Sequence, residues 1–432
     1  MTQRKRIGRA ALLGAFAAFG LAACDVERPP SKSCPALPLG GLETTMSSQQ
    51  ADDDTVNAMI RAIGQGAAPA PAPTARPTPR EAEEVTIGVA TEMVESAMRA
   101  EARRTPPARP ITVRILTMSA GGQWGSYGAG LMTGWSQNAR QPRPDFDVVT
   151  GVSAGAILGV PVFAGSRFDP VLEFFRGLSA EQVSTRRSIP ALLRAPSLND
   201  PAALEAFFRQ SLTPDLIGAI AERHEAGDQL LISATDLHTT ATQIFDIGSA
   251  ARMDDTAAAA DCIVEAMLAS AAIPGLFPPR HINGVLYADG GLRDQVFFRA
   301  VDTARARVAR DLGRPVKVEA FLVVNGALMP TMTPPRDRLF GYLGRSVVAL
   351  ADEVQRDSIT DAVAFAAGRP GWTLWGMVPE VDLSECGFDE VPVTTFDPCL
   401  TRVVYDKGLQ DGRAVPIDWM TAAELQAVAD EL

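Results

Sequence analysis

The sequence predicts an α/β fold in which a mostly parallel central sheet carries helices on both faces. Three observations lead there. Twice between residues 111 and 165 an apolar strand runs through a glycine-rich turn into a helix, the βαβ pattern of a parallel sheet covered on both sides. A further buried strand, Val316–Val324, follows the helical stretch Gln295–Leu312 in the same alternation. With 432 residues, 46% hydrophobic and 21% charged, the chain has enough apolar material for one large domain.

In chain order, the first 24 residues read as an export signal. Arg4, Lys5, Arg6 and Arg9 form a positive n-region, Ala10 to Gly20 an apolar run too short to span a bilayer, and Leu21-Ala22-Ala23-Cys24 a small-residue cleavage site. The pattern resembles a bacterial lipoprotein signal, which implies that residues 1–23 are removed and Cys24 is acylated; an ordinary secretory signal cut near Ala23 is the alternative. Removal takes away four positive charges and no negative one, moving the net charge from -11 to -15. So acidic a chain has no basic surplus for phosphates, which argues against nucleic acid as a partner. The expected location is the bacterial cell envelope, membrane-anchored and facing the periplasm.

Residues 24–82 are expected to be a lipid anchor and tether, because Pro69, Pro71, Pro73, Pro77 and Pro79 stiffen an alanine-rich stretch. Residues 83–110 hold a packing helix, with Val85, Val89, Met93, Ala97 and Met98 near one stripe. The main domain is expected over 111–432. Export makes disulfides possible among Cys34, Cys262, Cys386 and Cys399, and the pair nearest in sequence, Cys386 and Cys399, flanks a segment that a bridge could staple.

Within that domain, Ile111–Met118 and Phe146–Thr150 read as strands, and Ala154–Gly165 as the helix after the second. From Phe168 to Leu230 the chain looks helical and proline-interrupted. Its clusters Phe174-Phe175, Leu192-Leu193 and Phe207-Phe208 suit either core packing or the wall of an acyl-chain groove. Gln229–Thr235, Thr242–Ile247 and Val285–Ala288 read as strands, while Ala257–Ala272, Leu339–Ala367 and Leu400–Asp411 read as helices.

The chemistry concentrates where strands end. The stretch Val148–Ala156 reads as the end of a buried strand running into Gly151-Val152-Ser153-Ala154-Gly155, a G-x-S-x-G turn that would hold Ser153 on a tight backbone as a nucleophile, with Gly151 and Gly155 sparing it side-chain crowding. Serine needs a base and oxyanion donors. In Ser119–Gly125, Gly121 and Gly122 can turn their N–H groups towards one point, and the helix starting near Gly125 adds a favourable dipole. A phosphate cradle is the competing use of such a turn, but neither a G-x-G-x-x-G spacing nor a P-loop lysine is present. The histidines are His224, His238 and His281, none where a Ser–acid–His order would put the last member, and His281 precedes Asp289, the best acid candidate.

These blocks resemble the patatin-like phospholipases. Gly121-Gly122 with Gly125, then Gly151-Val152-Ser153-Ala154-Gly155, then Asp289-Gly290-Gly291 stand in the family's order. Ser270-Ala271-Ala272-Ile273-Pro274-Gly275-Leu276-Phe277-Pro278-Pro279 is similar to its Ser-x-Ala-Ile-Pro-x-x-Phe-Pro-Pro signature. The likeness spans about residues 111–300. It implies a patatin-like three-layer sandwich, a Ser153–Asp289 dyad, an oxyanion hole at Gly121 and Gly122, and supporting roles for Gly125, Gly151, Gly155, Gly290 and Gly291. It further implies hydrolysis of carboxylic esters of phospholipids, lysophospholipids or related acyl lipids, with no metal or organic cofactor. Ala120 and Trp124 depart from the family pattern, which usually has glycine at the first position and Arg or Lys at the second. Two other readings fit these residues: a broad esterase or acyltransferase, and an inactive patatin-like envelope scaffold.

Overall fold

The computed structural model describes residues 28–39, 79–192, 195–293, 298–326, 339–387 and 396–430. Its strands are β1 (Pro38–Leu39), β2 (Ile111–Met118), β3 (Val148–Val152), β4 (Thr185–Arg186), β5 (Asn199–Asp200) and β6 (Gln229–Asp236). They continue with β7 (Thr242–Asp246), β8 (Arg280–Ile282), β9 (Val285–Asp289), β10 (Val316–Val323), β11 (Trp372–Met377) and β12 (Met420–Thr421). Among the described residues ten strands form one sheet, in the order β1-β7-β6-β3-β2-β10-β11-β12 with the β8–β9 hairpin joined to β6. The five strands β6-β3-β2-β10-β11 are parallel, and antiparallel strands flank them. The arrangement is α/β, as the sequence predicts.

Alternation along each strand makes the layers. On β10, Phe321 and Val323 enter one hydrophobic cluster while Val318, Ala320 and Leu322 enter a second on the opposite face. Leu116 and Met118 of β2 divide from Val113 and Ile115 in the same way. Numbering the helices of eight or more residues, the first cluster lies under α2 (Gly125–Ser136), α3 (Ala154–Ala164), α4 (Ala202–Ser211), α5 (Pro214–Glu225), α6 (Thr256–Ser270) and α9 (Pro398–Arg413). The second lies under α1 (Pro79–Arg104), α7 (Phe298–Leu312), α8 (Leu339–Ala366) and α10 (Ala422–Asp430). A sheet between two helical layers buries both its faces, which explains the apolar runs of its central strands.

Helix α2 meets α9 backbone to backbone. A Cβ on Gly130 would stand 2.0 Å from the Tyr405 carbonyl oxygen, and one on Gly408 2.2 Å from that of Tyr127. No side chain larger than hydrogen fits on either helix there, so the C-terminal helix is fixed on the one that leaves the glycine-rich turn.

Three expectations change. The buried face of α1 is Ala90, Val94, Ala97 and Met98, whereas Val85 is exposed, because small residues four and three apart let α1 approach α7 closely. The strand before Ser153 begins at Val148, two residues later than the sequence suggested. Residues 28–39, expected within the tether, are bound to the domain. Lys32 N–H donates to the His281 carbonyl at 2.8 Å, and Asn283 holds Cys34 through both its side-chain atoms, at 2.7 and 2.8 Å. A disulfide joins Cys34 to Cys262 of α6, and Cys386 is bonded to Cys399. The first bridge lay outside the sequence expectation, since 228 positions separate its cysteines. Cys24 and the proline-rich stretch from 69 to 78 lie outside the described residues.

Candidate active site

The parallel strands end level with one another. Met118 pairs with Gly151 on one side and Val323 on the other, so the turns after β2, β3 and β10 share one edge of the sheet. Chain order reverses between β2 and β10, the place where open parallel sheets open a crevice.

Ser153 follows β3 directly and adopts φ 52° and ψ −118°, a conformation that non-glycine residues seldom take. Its surroundings hold it there. A Cβ on Gly151 would lie 2.4 Å from the Gly155 carbonyl oxygen, and one on Gly155 2.2 Å from that of Met118, so strand, turn and helix close on one another without space for a methyl group. The Ser153 N–H donates to the Ser270 hydroxyl at 2.8 Å, which ties the turn to the last residue of α6.

Register brings the acid to the serine. Val152 pairs with Ser233 of β6, and the next β6 residue, Ala234, pairs with Asp289 at the end of β9. Ser153 and Asp289 thus fall level on either side of one strand, and the Ser153 hydroxyl donates to Asp289 Oδ2 at 2.8 Å. The other carboxylate oxygen accepts the Gly291 N–H at 2.7 Å, and the Asp289 carbonyl accepts the Thr235 hydroxyl at 2.9 Å. A Cβ on Gly290 would stand 2.5 Å from the Ser233 carbonyl oxygen, so that position also excludes a side chain. Asp289 is 5% exposed, and burial pushes its pKa from an ordinary 3.8 up to about 6, against the opposing pull of the Gly291 N–H and the Ser153 hydroxyl.

The glycine-rich turn is anchored from β10. Asn325 is fully buried; its N–H donates to the Ser119 hydroxyl at 2.9 Å and its side-chain amide to the Ser119 carbonyl at 2.8 Å. Gln355 of α8 reaches the Ser119 hydroxyl at 3.2 Å and the Ala120 carbonyl at 3.3 Å. Gly121 crosses the Asn325 carbonyl so closely that an ideal Cβ would lie 1.2 Å from its oxygen. Gly122 has φ 54° and lines a cavity together with Ser153. Among the described residues no hydrogen bond uses the N–H of Gly121 or Gly122. Gly125 faces Ala154, whose Cβ would be 2.7 Å from one built at 125. Trp124 packs half-buried against the first hydrophobic cluster.

That cavity, counted with its open mouth, holds about 620 Å³ of empty space. Apart from Ser153, Gly122 and Arg280, its walls are apolar, with Ile157, Phe175, Leu268 and Phe277 among them. Phe175 is therefore both core and wall, and Phe174 stacks on Phe207 with ring centres 3.6 Å apart. Arg280 is paired with Glu205 at 2.6 Å.

The histidines lie elsewhere. His224 is largely buried beside Asp246, with Nδ1 3.8 Å from Oδ1, where a Gly248 Cβ would strike its ring. His281 Nδ1 lies 3.0 Å from the Pro29 carbonyl, and the His238 N–H donates to Asp236 at 2.7 Å in its turn. None lines the cavity.

The sequence brought forward Ser153, Asp289 and the glycines, and the fold assembles them at one place. It did not bring forward Asn325 or Gln355, and it named Ser270 only within the signature, without a role. The signal available for Asn325 was a polar residue directly after a buried strand, at the edge where the other turns fall.

Fold and site together define a class: an α/β protein in which a serine on a strained strand-to-helix turn meets a buried carboxylate at the mouth of an apolar cavity. Residues 116–302 match the family model described as patatin-like phospholipase, and the chain carries a patatin-like phospholipase domain over that stretch. The family which that model describes is one of lipid hydrolases. Among solved structures the chain is similar to the crystal structure of VipD from Legionella pneumophila, at 13% identity and a TM-score of 0.29. That similarity covers 69% of this chain and 66% of the other, just under two thirds of its length. No curated protein matches the chain.

Proposed function

We propose that the protein is a serine acyl hydrolase that cleaves carboxylic esters of phospholipids, lysophospholipids or related acyl lipids, with Ser153 as nucleophile and Asp289 as base. The observation that carries this reading is the 2.8 Å bond from the Ser153 hydroxyl to Asp289 beside an apolar cavity.

Burial suits the carboxylate to the task. At its ordinary pKa an aspartate is too weak a base for a hydroxyl, and a shift to about 6 brings it near neutral working pH while leaving it ionised. In the first half-reaction Ser153 Oγ bonds to the acyl carbon as its proton passes to Asp289 Oδ2. The carbonyl oxygen, now negative, takes hydrogen bonds from the N–H groups of Gly121 and Gly122. The Ser153 N–H already serves Ser270 and is not available as a donor. Collapse breaks the bond to the alcohol, which leaves with the proton from Asp289. Water then attacks the acyl-serine and gives a proton to Asp289; collapse breaks the bond to Ser153 Oγ, which takes that proton back from Asp289 as the fatty acid leaves.

The proposed setting is the cell envelope, with Cys24 acylated; because residues 28–39 are bound to the domain, only residues 25–27 separate that anchor from the fold. The support is the sequence of the first 24 residues; among the described residues no helix is long and apolar enough to cross a membrane. Mass spectrometry of the mature N-terminus tests the anchor, with a diacylated Cys24 expected and an unmodified terminus contradicting it. For the activity, vesicles of bacterial phospholipids are incubated with the protein and with Ser153→Ala. Fatty acid released by the first and not by the second supports the reading, and equal release by both removes it.

A further inference from the structure

A second apolar cavity, about 340 Å³ with its open side included, adjoins the first. The two share Ile157 and Phe175 as lining residues, so these side chains are a common wall. Helix α3 supplies the connecting line. Ser153 sits at its start, Ile157 one turn on, and Val160 and Pro161 a further turn on, where they line the second cavity. Eight residues of helix carry that wall about 12 Å from the nucleophile. The remaining walls of the second cavity are likewise apolar apart from Ser211, and include Val171 and Leu212.

The shared wall stands at the weakest turn of the helix. Pro161 has no N–H, so the Ile157 carbonyl lacks the donor that an unbroken helix would place four residues on. An apolar space that begins at a nucleophile and continues along one helix suits an unbranched hydrocarbon tail and nothing charged.

We propose that the second cavity is a subsite for the distal part of the substrate's acyl chain, and that Ile157 and Phe175 form the partition that sets which chain lengths reach it. This rests on the acyl hydrolase reading above. Short chains end in the first cavity; longer ones gain burial only where the partition yields, at about fourfold in kcat/KM for each methylene taken from water.

The test is the ratio of kcat/KM for p-nitrophenyl laurate to that for the butyrate, measured on the full chain. Ile157→Ala removes one half of the partition and raises the ratio by about tenfold or more, the worth of two methylenes. Adding Val171→Phe, which fills the second cavity without lining the first, brings the ratio back towards wild type. Phe175→Leu opens the same wall from the other side and gives the readout should Ile157→Ala fail to fold, as judged by thermal melting. A ratio within about twofold of wild type in the opened variant, with Ser153 still modified by a fluorophosphonate, overturns the subsite and leaves the hydrolase reading standing. No hydrolysis of any ester by wild type, with Ser153 unmodified, removes both.

Discussion

The Ser153 hydroxyl donates to the Asp289 carboxylate at 2.8 Å, although 136 residues separate them in the chain. The contact depends on β6, which pairs with the strand before the serine and with the strand that ends in the aspartate. Its chemistry depends on burial, which holds Asp289 at a pKa of about 6.

A base must be unprotonated to accept a proton. The kcat/KM profile for ester hydrolysis should therefore fall on the acid side with a single pKa of about 6, tenfold per pH unit below it. A stopped-assay profile from pH 4 to 9 checks this. An acid limb near 4 would mean that the carboxylate acts at its ordinary pKa.

The same shift bears on stability. Asp289 binds its proton more tightly folded than unfolded, so its contribution falls as pH rises from about 4 to about 6 and stays low above that. Asp289→Asn keeps the shape and removes the buried charge. At pH 8 the variant should be inactive yet more stable by roughly 1–3 kcal/mol, a gain that vanishes below pH 4. Denaturant titrations of both proteins at the two pH values measure it.

Asn325 touches no reacting atom in this account and acts through Ser119. Replacing it by alanine frees the start of the glycine turn and leaves the buried Ser119 carbonyl without its donor. We expect kcat to fall by about 10- to 100-fold with KM little changed, alongside a stability loss of about 1–3 kcal/mol. A lower melting temperature with unaltered kcat would reduce Asn325 to a packing residue.

The Cys34–Cys262 bridge closes a far longer loop than Cys386–Cys399, 228 positions against 13. Constraint of the unfolded chain grows with loop length, so Cys34→Ser with Cys262→Ser should cost about 2–5 kcal/mol, more than removing the shorter bridge. Calorimetry of the two double variants compares them.

Much of this site was legible because its chemistry leaves marks on sequence. A strained serine turn demands glycines at 151 and 155, and the Asp289 turn demands one at 290, since backbone passes where a Cβ would stand. The strands around them announced themselves by apolar runs. What stayed hidden depends on contacts between distant segments. Nothing local in Pro29 to Leu39 shows that it is held on the β8–β9 hairpin, although Asn283-Gly284, with φ 50° and 82°, is a strong two-residue hairpin signal and marks the hairpin itself. Ser270 and Asn325 are single polar residues in apolar surroundings, and only the fold shows which turn each one holds. The start of the α1 face was read one position off because Thr86, Ala90 and Thr91 on its buried side carry little hydrophobic contrast.

The most direct test of the central claim is the rate and site of modification by a fluorophosphonate, read by mass spectrometry of the peptide that contains residue 153. The account predicts a single adduct on Ser153, formed at least about a hundredfold more slowly in Asp289→Asn and within about tenfold of wild type when His224, His238 and His281 are all replaced by Gln. An adduct on another residue, or a reaction that survives Asp289→Asn and is lost with one of the histidines in a folded protein, would contradict it.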